Sequence, residues 1–213
     1  METLIYLIRH GESLGNQSRT MLGHTDLDLS PLGYLQAVKT CEHLADVRFD
    51  AIYSSDLKRA YNTAKPHAEL RGMDIVTSRE LREMYVGEWE NMWVEDIIKK
   101  YGDLFTEGWR HHFGEFTTPG GENVDETRER FYRAVVDIAK EEEGRVVLIA
   151  AHAGVIRLLW GKINGIPTSE LAETYFYPSN ASYSIVRWNG ERLIPVSYSN
   201  DDHLAALATG FAP

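Results

Sequence analysis

The chain has 213 residues, 43% of them hydrophobic and 25% charged, a globular balance that excludes wholesale disorder and collagen-like repetition. A formal net charge of -10 disfavours a general nucleic-acid binder or a partner for anionic membranes. The single cysteine, Cys41, excludes an intrachain disulfide framework and fits a reducing compartment or indifference to redox. No apolar run approaches the roughly 18 residues of a membrane span. The opening run Leu4–Ile8 stops at Arg9-His10 and lacks a basic lead-in or a small-residue cleavage site. These features predict one soluble, cytoplasmic domain over residues 1–213, with no membrane and no nucleic-acid partner; a homodimer stays open.

In chain order, Thr3–Ile8 has the length and apolarity of a buried strand. Ser30-Pro31 reads as N-cap and first helical residue, with Leu35, Val38, Cys41 and Leu44 facing a core. Phe49–Tyr53 predicts a second strand, followed by a helix capped by Asp56 and reaching about Gly72, kinked or shortened at Pro66. Ile75-Val76 is a weak third strand. Thr127 to Glu143 carries Phe131, Val135 and Ile138 at helical spacing, and Arg145–Ala151 is the clearest strand of all. Val155–Ile163 then predicts a helix closed by Asn164-Gly165. Ser182–Trp188 and Arg192–Tyr198 flank Asn189-Gly190, a strong hairpin signal. The alternation predicts a three-layer α/β/α fold: a mostly parallel central sheet with a C-terminal antiparallel hairpin.

Three apolar strands run straight into polar clusters. The first ends in Arg9-His10-Gly11-Glu12-Ser13, the second in Ser54-Ser55-Asp56 with Arg59 one turn on, the third in His152-Ala153-Gly154. Ligands of open α/β sheets sit outside the carboxyl ends of the strands, where following helices also aim unpaired N–H groups. Arg9, His10, Arg59 and His152 thus concentrate positive charge at one edge of an acidic protein, as a phosphate site requires. Singly, each has a bland reading: a hydrogen-bonded structural histidine, a solvated arginine, a turn glycine. Their coincidence at three strand ends favours a site. A metal centre is not expected. His111 and His112 are adjacent and would point apart, and Cys41 has no ligand partner at zinc-site spacing.

Leu7-Ile8-Arg9-His10-Gly11-Glu12-Ser13 resembles the signature of the histidine phosphatase superfamily, in its phosphoglycerate-mutase-like branch. The resemblance continues through Asp28–Gly33, through Ser54–Ala60 with Thr63-Ala64, and through Leu81-Arg82-Glu83 with Gly87-Glu88-Trp89-Glu90. Pro119–Glu122 and His152–Arg157 complete it. It implies that His10 attacks phosphorus to give a phosphohistidine, and that Arg9, Arg59 and His152 hold the phosphoryl oxygens. It further implies phosphate contacts from Asn16, Gly23 and Ala153, and Glu83 as the proton donor to the leaving group. No metal and no cofactor follow from it; the partner is a small-molecule phosphate ester. A variable cap is expected at roughly 90–122, where Arg110, His111 and His112 either line an entrance or sit on an exposed amphipathic helix.

The resemblance covers both phosphatases and mutases. Val86 stands where cofactor-dependent phosphoglycerate mutases place a substrate-binding tyrosine, and Gly154 where they carry asparagine. The stretch between Glu83 and His152 also lacks their adjacent arginine pair. A metal-independent phosphatase is therefore expected, with a mutase using 2,3-bisphosphoglycerate as the alternative. An inert phosphate-binding or scaffold module should have lost His10, an arginine or Glu83, and all are present.

Overall fold

The first strand, β1 (Thr3–Arg9), lies inside a six-stranded sheet rather than at its edge. The other strands are β2 (Ala51–Ser55), β3 (Val76–Ser78), β4 (Val146–Ala151), β5 (Tyr183–Trp188) and β6 (Leu193–Asn200), in spatial order β3-β2-β4-β1-β5-β6. The computed structural model describes residues 1–109 and 117–210. β1 pairs parallel with β4, from Leu4 opposite Val146 to Arg9 opposite Ala151. β2 pairs parallel with both β4 and β3. β5 and β6 add antiparallel, so the expected mixture of a parallel block and a terminal hairpin is present.

The period-2 alternation of β1 and β4 divides their side chains between two cores. Ile5, Leu7, Val147 and Ile149 pack on one face with Phe131, Val135, Val155 and Leu159. Ile8, Leu148 and Ala150 pack on the other with Ile52, Ala64 and Ala68. The helices are, in order, α1 (Leu14–Ser18), α2 (Pro31–His43), α3 (Lys58–Arg71), α4 (Val94–Tyr101), α5 (Val124–Glu141), α6 (Ala153–Ile163) and the short α7 (Leu171–Thr174); α5 and α6 supply the first of these cores and α3 the second. A third apolar cluster, with Met84, Val86, Trp89, Ile97 and Leu158, lies outside these two layers. Among the described residues no helix is long and apolar enough to cross a membrane.

Several boundaries differ from the sequence reading. Ser30 does cap α2, its hydroxyl accepting from Gly33 N at 3.1 Å. Cys41 and Leu44 face inward as expected, but Leu35 and Val38 are 57% and 43% exposed, and Gln36, Ala37 and Thr40 take the inward face in their place. Gln36 and Thr40 are fully buried because their side chains are hydrogen-bonded, to Glu12 N at 2.7 Å and to Ala181 O at 2.8 Å. Asp56 caps nothing; its carboxylate forms a fork with Arg82, with both bonds at 2.6 Å. The first turn of α3 is served from a distance, Lys58 N donating to Asp26 Oδ1 at 2.7 Å. Pro66 does not shorten α3, which continues to Arg71 and ends at Gly72 with φ 63°. α6 begins two residues earlier than expected, with His152 as its N-cap. The turn at Asn189-Gly190 spans four residues, with the Asn189 side chain accepting from Glu191 N and Arg192 N.

Candidate active site

Parallel pairing of β1 and β4 sets Arg9 opposite Ala151, so the chain leaves both strands side by side at one sheet edge. His10 and His152 follow directly, and their ring centroids are 5.2 Å apart, nearly edge-on. β2 ends beside them and delivers Arg59 from the first turn of α3. Backbones approach closely here. A Cβ on Gly11 would meet Gly33 O at 2.5 Å, and one on Gly33 would meet Glu12 O at 2.0 Å. Only glycines let α2 pack this tightly on the segment after β1.

His10 Nδ1 lies 2.7 Å from Gly11 O. A carbonyl can only accept, so Nδ1 carries the ring proton and Nε2 keeps its lone pair. Burial, with Arg59 and Arg9 nearby, holds the His10 pKa well below its ordinary value, so the imidazole is neutral at physiological pH. His152 is lowered likewise, first by burial and then by Arg59, and neither of its buried ring nitrogens has a hydrogen-bond partner. An unpartnered buried imidazole is costly unless something else supplies the bond.

The two arginines are held by neutral groups. Arg9 Nη1 donates to Pro178 O at 2.5 Å. Arg59 donates through Nη1 to Thr25 O and through Nη2 to Gly23 O, both at 2.8 Å. Burial lowers each guanidinium to about 10, which leaves both charged at neutral pH. Neither forms a salt bridge among the described residues, so their charge is not already neutralised by a contacting carboxylate.

Opposite them, Glu83 rests on the N-terminus of α6. Its Oε2 accepts from Gly154 N at 2.8 Å, and its Oε1 from Val155 N at 3.1 Å and Met84 N at 3.0 Å. These three bonds fix the carboxyl group in place and leave Oε2 a further lone-pair direction for a proton. A Cβ on Gly154 would stand 2.5 Å from Glu83 Oε1. The loop carrying Glu83 is tied down by Arg130 of α5, which donates to the carbonyls of Glu80, Arg82 and Glu83 and pairs with Glu122.

Arg9, His10, Asn16, Arg59, Glu83 and Ala153 all line one cleft of about 690 Å³, counting its open mouth. Asn16 uses its amide oxygen on Ser13 N and Oγ at 3.0 and 2.9 Å, which leaves its NH₂ for a ligand. Two expected contacts stand one layer back. His152 lies behind His10, and Gly23 takes part only through the carbonyl that braces Arg59. The cleft also has an apolar wall the sequence reading did not foresee, made of Met21, Leu22, Met84, Val86 and Leu158, with Tyr177 beside it. Arg110, His111 and His112 lie outside the described residues. Among those described, no cluster of three or more His, Cys, Asp or Glu is placed to hold a metal ion.

The profile of the histidine phosphatase superfamily (branch 1) matches residues 5–201. A metal-independent phosphoserine phosphatase of Arabidopsis thaliana is 29% identical over 207 residues, covering 96% of this chain and 84% of the relative. A Salmonella choleraesuis protein named "Probable phosphoglycerate mutase GpmB" is 30% identical over 167 residues, 76% of this chain and 75% of its own. The solved structure of Bacillus stearothermophilus YhfR superposes with a TM-score of 0.89 at 28% identity, over 95% of this chain and 99% of that one. The chain belongs to branch 1 of the histidine phosphatase superfamily and is an enzyme of its phosphatase kind.

Proposed function

We propose that the enzyme hydrolyses small-molecule phosphomonoesters without a metal ion, by way of a phosphohistidine on His10. The observation that carries this reading is the neutral His10, its Nε2 lone pair left for a ligand, in a cleft with two charged guanidiniums and a carboxyl group. His10 Nε2 forms the bond to phosphorus while the P–O ester bond breaks. Glu83 gives its proton to the departing alkoxide, which leaves as the alcohol. Water then loses a proton to Glu83 and attacks phosphorus, the P–N bond breaks, and phosphate and His10 are regenerated.

Phosphoryl transfer spreads charge over the equatorial oxygens, so catalysis rests on positioning and electrostatics. Arg9, Arg59 and the Asn16 amide supply that stabilisation. The backbone N–H of Ala153 is a further donor, the neutral His152 ring behind His10 has a single N–H to give, and Gly23 serves through its brace on Arg59. Two guanidiniums free of carboxylate partners replace the charge a metal would bring. The Arabidopsis relative's name agrees with metal independence.

Hydrolysis is favoured over transfer by the second half of the cleft. Val86 presents an apolar wall where a mutase would present a tyrosine hydroxyl. Gly154 is filled to contact by Glu83, so an asparagine there is incompatible with this carboxylate position. Arg9 and Arg59 are the only lysines or arginines lining the cleft among the described residues, which offers no second grip on a carboxylate or phosphate. Phosphate release should then need no bisphosphorylated cofactor. Rapid interconversion of 2- and 3-phosphoglycerate, stimulated by 2,3-bisphosphoglycerate and exceeding phosphate release, would establish the mutase instead.

The direct test is rapid quench with a ³²P-labelled ester. The label should reach the protein as an acid-labile, base-stable group, vanish in His10→Ala, and form undiminished after exhaustive chelation. Acid-stable label, or a chelation loss restored by magnesium or zinc, would refute the reading. Absence of label together with absent turnover on a phosphomonoester panel would favour an inert module.

A further inference from the structure

Arg59 is aimed by two backbone carbonyls, Gly23 O and Thr25 O, each at 2.8 Å. Carbonyls on a surface loop hold a guanidinium only as firmly as the loop itself is held. The side chain of Glu90 makes four of the bonds that hold this segment, three of them to Gly23–Thr25 backbone and hydroxyl donors. Glu90 follows the 3₁₀ turn Gly87–Trp89, and its Oε1 accepts from His24 N at 2.7 Å and from Val86 N at 3.3 Å. Its Oε2 accepts from Thr25 N at 2.8 Å and from the Thr25 hydroxyl. The fit is close enough that a Cβ on Gly23 would fall 2.3 Å from Glu90 Oε1.

One carboxylate therefore ties two segments far apart in sequence. On one side is the Gly23–Thr25 loop that brackets Arg59. On the other is Val86, three residues after Glu83. His24 completes the tie, its ring Nε2 donating to Glu83 O at 3.0 Å. The placement has a chemical logic. A carboxylate in direct contact with Arg59 would fix the guanidinium but compete with phosphate for its N–H groups. Acting one layer back, through neutral carbonyls, it fixes the same group and leaves the charge available.

We infer that Glu90 is a positioning residue for Arg59, and that it sets the distance between the phosphate grip and the Glu83 loop. The inference rests on the reading of Arg59 as a phosphate ligand, so its test uses inorganic phosphate rather than turnover. Glu90→Gln keeps the shape but replaces one accepting oxygen with an NH₂ that faces N–H donors, and the loop should then release its bracket. Misplacement of a holding group by about 1 Å can cost about 10²-fold. Phosphate affinity, read by titration calorimetry or as a competitive inhibition constant, should fall by about 10- to 100-fold. KM for nitrophenyl phosphate should rise in parallel.

A double-mutant cycle separates positioning from general support. Arg59→Ala alone should weaken phosphate binding, and adding Glu90→Gln should weaken it little further. Thr25→Val, which removes only the hydroxyl donor to Glu90, should give a smaller loss in the same direction, and it serves if Glu90→Gln does not fold. Folded Glu90→Gln with unchanged phosphate affinity, or losses that multiply in the double variant, would overturn the inference while leaving the site intact. Phosphate affinity indifferent to Arg59→Ala would overturn the site reading itself, and this inference with it.

Discussion

Glu83 shares the cleft with two guanidiniums yet contacts neither; its oxygens are spent on the backbone at the start of α6. Its proposed work is proton transfer, and leaving groups measure that directly. An alkoxide needs a proton to depart, whereas nitrophenolate does not. Glu83→Gln should slow phosphohistidine formation from an alkyl phosphate by about 10²–10⁴-fold in single turnover, and from nitrophenyl phosphate far less. Equal losses for both esters would reduce Glu83 to shaping the pocket. His10 offers a second measurement. Its pKa is lowered by burial and by Arg59 and Arg9, so an NMR titration of the resting enzyme should find no ring protonation centred near the ordinary value of about 6.5. A midpoint there would contradict the neutral nucleophile.

At the scale of elements, the start of α6 is where geometry and chemistry meet. Gly154 lies in its first turn, where alanine would suit the helix better by up to about 1 kcal/mol. A methyl group there would nonetheless collide with the Glu83 carboxylate. Gly154→Ala should therefore leave the thermal midpoint unchanged or higher while lowering the rate with alkyl phosphates at least about tenfold, the direction expected when a proton donor is displaced. A variant that is both destabilised and equally slow on all esters would show that the glycine serves packing alone. The element pattern itself was largely legible. Apolar runs marked β1, β2 and β4, and their abrupt polar endings placed Arg9, His10, Arg59 and His152 at one edge. What stayed hidden has a common physical cause. Gln36 and Thr40 face inward because they satisfy buried backbone groups, so the apolar pattern of α2 pointed to Leu35 and Val38, which are exposed. Glu90 and Arg130 act on backbone atoms of distant loops, and no spacing in the sequence encodes which backbone a side chain will reach. Val86 and Gly154 stand out in the sequence as departures from mutases, but the apolar wall as a whole needs the fold to assemble Met21, Met84 and Leu158 beside them.

For the whole molecule, buried neutral histidines couple folding to pH. His67 of α3 is fully buried, with neither ring nitrogen partnered, and burial lowers it to about 3. Between that value and about 6.5 the unfolded chain binds a proton that the folded chain does not. Stability from this group is thus complete above about pH 6.5 and declines as the pH falls, by roughly 1 kcal/mol per unit. His10 and His152 shift in the same direction. Denaturant midpoints should fall from pH 7 to 4, and His67→Leu should flatten part of that slope. An unchanged slope would mean that the acid sensitivity arises elsewhere.

The interior position of β1 has a consequence for how the molecule comes into being. Synthesis produces this strand well before its neighbours in the sheet, β4 and β5, which begin only at Val146 and Tyr183. Through most of translation its Ile5, Leu7 and Ile8 have neither edge paired, the condition that invites wrong strand pairing. A nascent chain halted before residue 146 holds Arg9, His10, Arg59 and Glu83 but not β4, the strand that joins β1 to β2. Such a fragment should bind no phosphate and should aggregate or engage chaperones, whereas release of the β5–β6 hairpin should bring solubility and phosphate binding together in one step.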